Sequence, residues 1–336
     1  MAANSKRPMS RSEDRDELAS LILGGELAFN ATEVTEQGGL SFENGQRLWR
    51  ALGFPDTGDD VAYGQADVDA MKIVSTAISS GVLDEETVFR MTRALGHTMS
   101  RLADWQVSTL VDTVEVEVGN GRSASRLGAA IELAETVTPN FELLIIYAWR
   151  RHLAASVARV EALGAADEEL LTTSVTVGFA DLVRFTALSN GLDDASLASL
   201  VETFESRCTD IVTARGGRVI KTLGDAILFV CDDPKIATLT SLDIVRQIGS
   251  RQDLPDVRVG LATGSVINRL GDVFGPPVNL AARLTSVART NRVIVDKATA
   301  DSLGEEFETR ALPARPLRGF GNVEPVTVSL RRTFGR

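Results

Sequence analysis

The feature that most constrains this chain is a change of pattern near residue 165. Before it, apolar residues recur at helical spacing; after it they begin to alternate in short runs. Two kinds of element in separate blocks predict an α+β protein with two domains. In the first block Glu17–Gly24, Gly45–Leu52, Gln65–Ser80, Asp84–Leu95 and Thr98–Val116 read as helices between Gly and Asp breaks. Asp84 is a predicted N-cap, followed by Glu85 and Glu86 in the first turn, where the helix dipole favours negative charge. Thr138-Pro139-Asn140 then opens a longer predicted helix over 140–163. Leu144, Trp149, Leu153, Val157, Val160 and Leu163 form its apolar side, and Arg150, Arg151 and Arg159 its solvated side. Residues 1–16 are polar and read as a disordered tail, 17–164 as an all-α domain and 165–171 as a linker.

Residues 172–336 read as the second domain. Ser174–Ala180 is a predicted strand and Leu192–Ala214 a helix. Arg218–Leu223 and Ala226–Val230 are strands joined by Gly224-Asp225, a two-residue hairpin signal. Asp233–Ser250 is a helix, Val257–Leu261 and Ser265–Arg269 are strands, and Pro276–Ala288 is a helix. Arg292–Val295 and Val326–Leu330 close the domain. The first six elements run β-α-β-β-α-β, a ferredoxin-like order that packs helices on one face of an antiparallel sheet.

At 336 residues the chain is long enough for two cores. Its net charge of −11 excludes nucleic acid as a bulk electrostatic partner, so any polyanionic ligand needs a local site of cations and metal. Two cysteines, Cys208 and Cys231, are too few for a disulfide framework. The most apolar run, Phe141–Trp149, falls far short of the ~18 residues of a membrane span. With no apolar signal region at the N-terminus, the expectation is a cytoplasmic protein.

Several residues in the second domain carry chemistry. Asp181 ends the first strand, beside the amides of Leu182, Val183, Arg184, Phe185 and Thr186, which open toward a helix-like turn able to cradle phosphate. Asp225 sits at the hairpin tip, next to that strand end in a split β-α-β-β-α-β sheet. Two carboxylates there form a hard-oxygen site suited to Mg²⁺ and substrate phosphates. Lys221 lies among Val219, Ile220, Leu223 and Ile227, where an unpaired ammonium would be costly, and reads as a donor aimed at a base. In Gly271–Leu284, Pro276 and Pro277 suit a first helical turn, Asn279 and Arg283 share a helix face, and Asp272 precedes them on a loop. Both histidines, His97 and His152, lie in the first domain, so Ser-His-Asp hydrolysis and His-ligated zinc are excluded for the second.

Three segments, FADLVRFTALS, KTLGDAILF and GDVFGPPVNLAARL, taken in order, resemble the catalytic core of the class III nucleotidyl cyclases over about residues 172–333. The resemblance implies that Asp181 and Asp225 hold two Mg²⁺ ions, or Mn²⁺ in their place, helped by the Leu182 carbonyl. It implies that Lys221 and Asp272 contact the purine and that Asn279 and Arg283 stabilise the transition state. Arg318 stands where the family usually has a lysine that contacts the terminal phosphates. Lys221 and Asp272 supply one donor and one acceptor, which match adenine and mismatch guanine, so ATP is the expected substrate. A complete residue set on one chain further implies a homodimer with two composite sites. A guanylyl or relaxed-specificity cyclase and a catalytically silent nucleotide sensor are the alternatives. The helical block resembles the regulatory domains of some actinobacterial cyclases, through Met91–Gln106, which implies autoinhibition and acid activation; DNA recognition by this acidic block is the competing reading. His152, directly after Arg150 and Arg151, is the candidate acid-sensitive group.

Overall fold

The computed structural model describes residues 11–162, 172–249, 254–269 and 271–331. The chain divides into two compact units, Met1–Ala158 and Arg159–Arg336.

The first unit is all-α: α1 (Arg11–Leu23), α2 (Ala31–Gly38), α3 (Phe42–Leu52), α4 (Gln65–Ser79), α5 (Glu85–Gly119) and α6 (Arg126–Ala162). Its small core gathers Val34, Leu48, Val68, Met71 and Phe89, with Trp49 stacked on Tyr63 at 4.4 Å. Asp84 caps α5 as its sequence predicts, accepting from the Thr87 amide at 2.8 Å.

Five expectations change in this unit. Helix α1 starts at Arg11, so residues 11–16 are helical, while residues 1–10 of the expected tail lie outside the described residues. Helix α2 was not expected, although Asn30 and Glu33 build a reciprocal capping box at its start. The two helices expected over Asp84–Val116 are one. Gly96 is no break but a close crossing, where a Cβ would lie 2.5 Å from Leu52 Cα. Pro139, expected to open a helix, lies inside α6, and the Asn140 side chain donates to the Thr136 carbonyl at 3.2 Å. On α6 the expected apolar side is exposed at Leu144, Trp149, Leu153 and Val157; Leu163 and the whole expected linker, 165–171, lie outside the described residues.

The second unit runs β1 (Thr172–Leu182), α7 (Phe185–Ser189), α8 (Asp194–Ala214), β2 (Arg218–Thr222), β3 (Ala226–Cys231), α9 (Pro234–Ile248) and β4 (Val257–Arg269). It continues with β5 (Asp272–Phe274), α10 (Pro276–Val287), β6 (Val293–Val295), α11 (Lys297–Asp301), β7 (Phe307–Ala311), β8 (Arg315–Leu317), β9 (Gly321–Val323) and β10 (Val326–Leu330). The sheet order is β2-β3-β1-β4-β6-β10-β7, with β5 paired to β4 and a separate β8-β9 ribbon. The first four strands of that order are antiparallel, in the expected ferredoxin-like arrangement, and β6 joins β4 in parallel.

Alternation on β1 splits the core in two. Val175, Val177 and Phe179 face α10, and Ala180 and Leu182 face the layer of α8 and α9. Helices therefore cover both faces, because α10 packs opposite the pair that the β-α-β-β-α-β order places on one side. The two strands expected over Val257–Arg269 are the single strand β4. Gly260 lets α10 lie close on it: a Cβ there would meet the Thr285 amide at 2.4 Å and the Ala281 carbonyl at 2.6 Å. One turn along, Gly264 faces Pro277 in the same way, at 2.8 Å.

Candidate active site

The end of β1 and the β2–β3 turn form one surface. The ladder sets Asp181 opposite Ala226, and the Leu182 amide donates to the Asp225 carbonyl at 2.9 Å, so the two acids lie on adjacent strand ends. Gly224, at φ +70°, makes the tight turn that carries Asp225. Both carboxylates are half-buried. Burial pushes the Asp181 carboxyl above its ordinary range, the Arg258 guanidinium opposes that, and the Asp225 charge adds to it. A pair of hard oxygen donors whose charges disfavour each other is the setting in which a divalent cation is best accommodated, so these residues fit Mg²⁺.

Sequence reading missed Arg258. It sits directly across from Asp181 on β4, and its Nε and Nη2 donate to Asp181 Oδ2 at 2.7 and 2.6 Å. Its Nη1 also donates to the Ser286 carbonyl of α10, at 3.1 Å. The only signal for it was register, since nothing in the local sequence sets Arg258 apart from other strand arginines.

The expected phosphate cradle is narrower than its sequence implies. The Leu182 and Val183 amides are already committed, to the Asp225 carbonyl and to the Asp256 carbonyl at 2.7 Å. That leaves the Arg184, Phe185 and Thr186 amides without an acceptor among the described residues. Arg184 adopts φ +62°, which turns the chain into the short α7. Val183 and Arg184 line a hollow of about 620 Å³.

The second pair also meets. Lys221 Nζ donates to Asp272 Oδ2, and the two side chains are 32% and 26% exposed. A register shift between Val219 and Lys221 re-aims the lysine, and Asp272, expected on a loop, opens β5. Asp272 is anchored through its other oxygen, which accepts the Val273 amide at 2.9 Å. The lysine thus has the partner that its apolar surroundings demand.

Asn279 and Arg283 lie on the exposed face of α10, away from buried Ala281, Leu284 and Thr285. Arg318 is exposed in the turn between β8 and β9. No hydrogen bond or ion pair joins these three side chains to Asp181, Asp225, Lys221 or Asp272 among the described residues. His152 is exposed on α6. The cysteines are free and buried; burial pushes the Cys231 thiol up to about 12 and Cys208 higher still, so neither is a nucleophile.

Residues 169–330 match the adenylate and guanylate cyclase catalytic domain, and residues 12–147 match the adenylate cyclase regulatory domain. An adenylate cyclase of Streptomyces coelicolor is 37% identical over 94% of this chain and 89% of its own length. An adenylate cyclase of Glutamicibacter nicotianae is 35% identical over 94% of this chain and 83% of its own. A pH-sensitive adenylate cyclase of Mycobacterium tuberculosis is 31% identical over 83% of this chain and 71% of its own. No helix among the described residues is long and apolar enough to cross a membrane. The two acids at the strand ends, the lysine–aspartate pair and these relatives agree, and the chain belongs to the class III cyclase family as an adenylate cyclase with an N-terminal regulatory domain.

Proposed function

We propose that the chain converts ATP to 3′,5′-cyclic AMP and pyrophosphate at composite sites of a homodimer in the cytoplasm. The observation that carries the substrate assignment is the contact between Lys221 and Asp272. It offers a purine one N–H donor and one carboxylate acceptor side by side, the complement of adenine N1 and its N6 amino group. Guanine, with O6 and N1–H, would leave polar groups unpaired at a cost of about 1–3 kcal/mol each.

Asp181, Asp225 and the Leu182 carbonyl are the residues that would hold Mg²⁺. When bound, the metal lowers the pKa of the ribose hydroxyl and neutralises phosphate charge. Arg258 balances Asp181 in its absence, and once released is a fixed cation beside the leaving phosphates. The Arg184–Thr186 amides and Arg318 supply further donors to those oxygens. Asn279 orients the ribose, and Arg283 offsets charge on the α-phosphoryl group.

Among the described residues Asn279, Arg283 and Arg318 make no hydrogen bond or ion pair with the acids, which supports a site completed by a second copy. The exposed apolar residues of α5 and α6, among them Trp105, Val111, Leu144 and Trp149, support the same reading. Acid-sensitive control by the helical unit rests on the pH-sensitive relative and on His152, which is exposed on α6 directly after Arg150 and Arg151. The test is cyclic nucleotide production from ATP and from GTP by the full chain and by Asp225→Ala. Activity with ATP that Asp225→Ala abolishes is the expected result. Equal rates with GTP would favour the relaxed cyclase, and no product from either would favour the silent sensor.

A further inference from the structure

At the far edge of the sheet lies a hollow of about 500 Å³, a size within the usual range for a small-molecule site. Arg289 and Arg292 reach it from the turn after α10, Arg310 from β7 and Arg315 from β8. Its floor is apolar at Ile294, buried in the sheet, with Val287 and Leu312 beside it. None of the four guanidinium groups has a hydrogen-bond or ion-pair partner among the described residues. Two other arginines of this unit are ion-paired, Arg215 to Asp243 and Arg258 to Asp181. In a chain of net charge −11, four unmatched arginines around one concavity are a local field of opposite sign to the whole.

Four planar cations converging on one hollow repel each other unless something with several negative charges joins them. Guanidinium forks bind phosphate oxygens two at a time, and an oligophosphate carries enough charge in a short length to meet all four. We infer that this hollow is a binding site for a small oligophosphate anion, made by residues separate from those placed at the catalytic site. The apolar floor gives it room for the organic group of a nucleotide as well as for an inorganic chain.

The test is calorimetric titration of the full chain with inorganic tripolyphosphate, and separately with ADP, in EDTA. Expected is binding that survives in Arg318→Gln, falls at least tenfold in Arg292→Gln/Arg310→Gln, and weakens with added salt. A second double variant, Arg289→Gln/Arg315→Gln, must show the same loss, and circular dichroism identical to the parent establishes that both are folded. Tighter binding of ADP than of tripolyphosphate assigns the floor to an organic group; equal binding assigns the site to the phosphate chain alone. Parent-like affinity in the folded double variants, loss in Arg318→Gln alone, or no binding of either probe would overturn the inference.

Discussion

Replacing Arg258 with glutamine isolates the electrostatics of the candidate metal site. Arg258 gives two donors to Asp181 and one to the Ser286 carbonyl, and the two ion-paired side chains are 30% and 17% exposed, so the pair is only partly screened. Losing charged-partner hydrogen bonds of this kind costs about 1.5–3 kcal/mol, and the neutral bond to Ser286 adds about 1 kcal/mol. For a unit of this size a loss near 3 kcal/mol lowers Tm by roughly 6–12 °C. The dependence on pH separates the two parts. Asp181 already titrates above its ordinary range, so its protonated form is the one that folding favours. Stability from that group is complete below its unfolded pKa and is lost as pH rises through the higher folded value. Removing Arg258 raises the folded value further. The deficit of the variant should therefore be largest at pH 8 and shrink towards the Ser286 contribution near pH 4. Added Mg²⁺ should restore part of the loss at pH 8, since a cation then takes the place of the guanidinium. Thermal melts of parent and variant at both pH values, with and without Mg²⁺, read all of this. A deficit that is the same at both pH values and indifferent to Mg²⁺ would refute the reasoning.

The lysine–aspartate pair predicts that Lys221→Gln and Asp272→Asn each cut the preference for ATP over GTP by about 10–100-fold, measured as the ratio of kcat/KM values. Gly260→Ala places a methyl against the Thr285 amide, and should cost about 1–3 kcal/mol in urea unfolding and most of the activity, through displacement of α10. Mixing Asp225→Ala with Arg283→Ala should recover about a quarter of parental activity, because half of the randomly formed dimers then hold one intact site; continued silence would show that each site lies within one chain. His152→Gln should flatten the acidic limb of the pH–activity profile, and superimposable profiles would remove His152 from regulation.

Much of this architecture is legible in local sequence because the signals are local. Asp84 caps its helix, Gly224-Asp225 turns its hairpin, and Val326–Leu330 is the strand its alternation describes. The strand end with Asp181 and the hairpin tip with Asp225 also lie side by side, as the β-α-β-β-α-β order implies. What escaped depends on neighbours distant in sequence. Gly96 reads as a break until Leu52 is seen lying against it, and Arg258 acquires its role only from a register that puts it across from Asp181. The Val183 amide looked open to phosphate, but the Asp256 carbonyl takes it. Helix α2 is the exception, since Asn30 and Glu33 spell its start locally.

The position of β1 and the glycines beneath α10 have a mechanical consequence. β1 is laddered along its length to β3 and β4, so Asp181 rides on a stator that cannot shift without tearing the sheet. α10 instead packs on a β4 face that is low at Gly260 and Gly264, with only Ala262 standing between them. A slide of one or two ångströms along that face is of the size by which packed helices switch between arrangements. Such a stroke would carry Asn279 and Arg283 into or out of reach of the phosphates while the metal acids stay in place. A clutch of this kind would set the rate of turnover and leave intact the chemistry that each stroke engages.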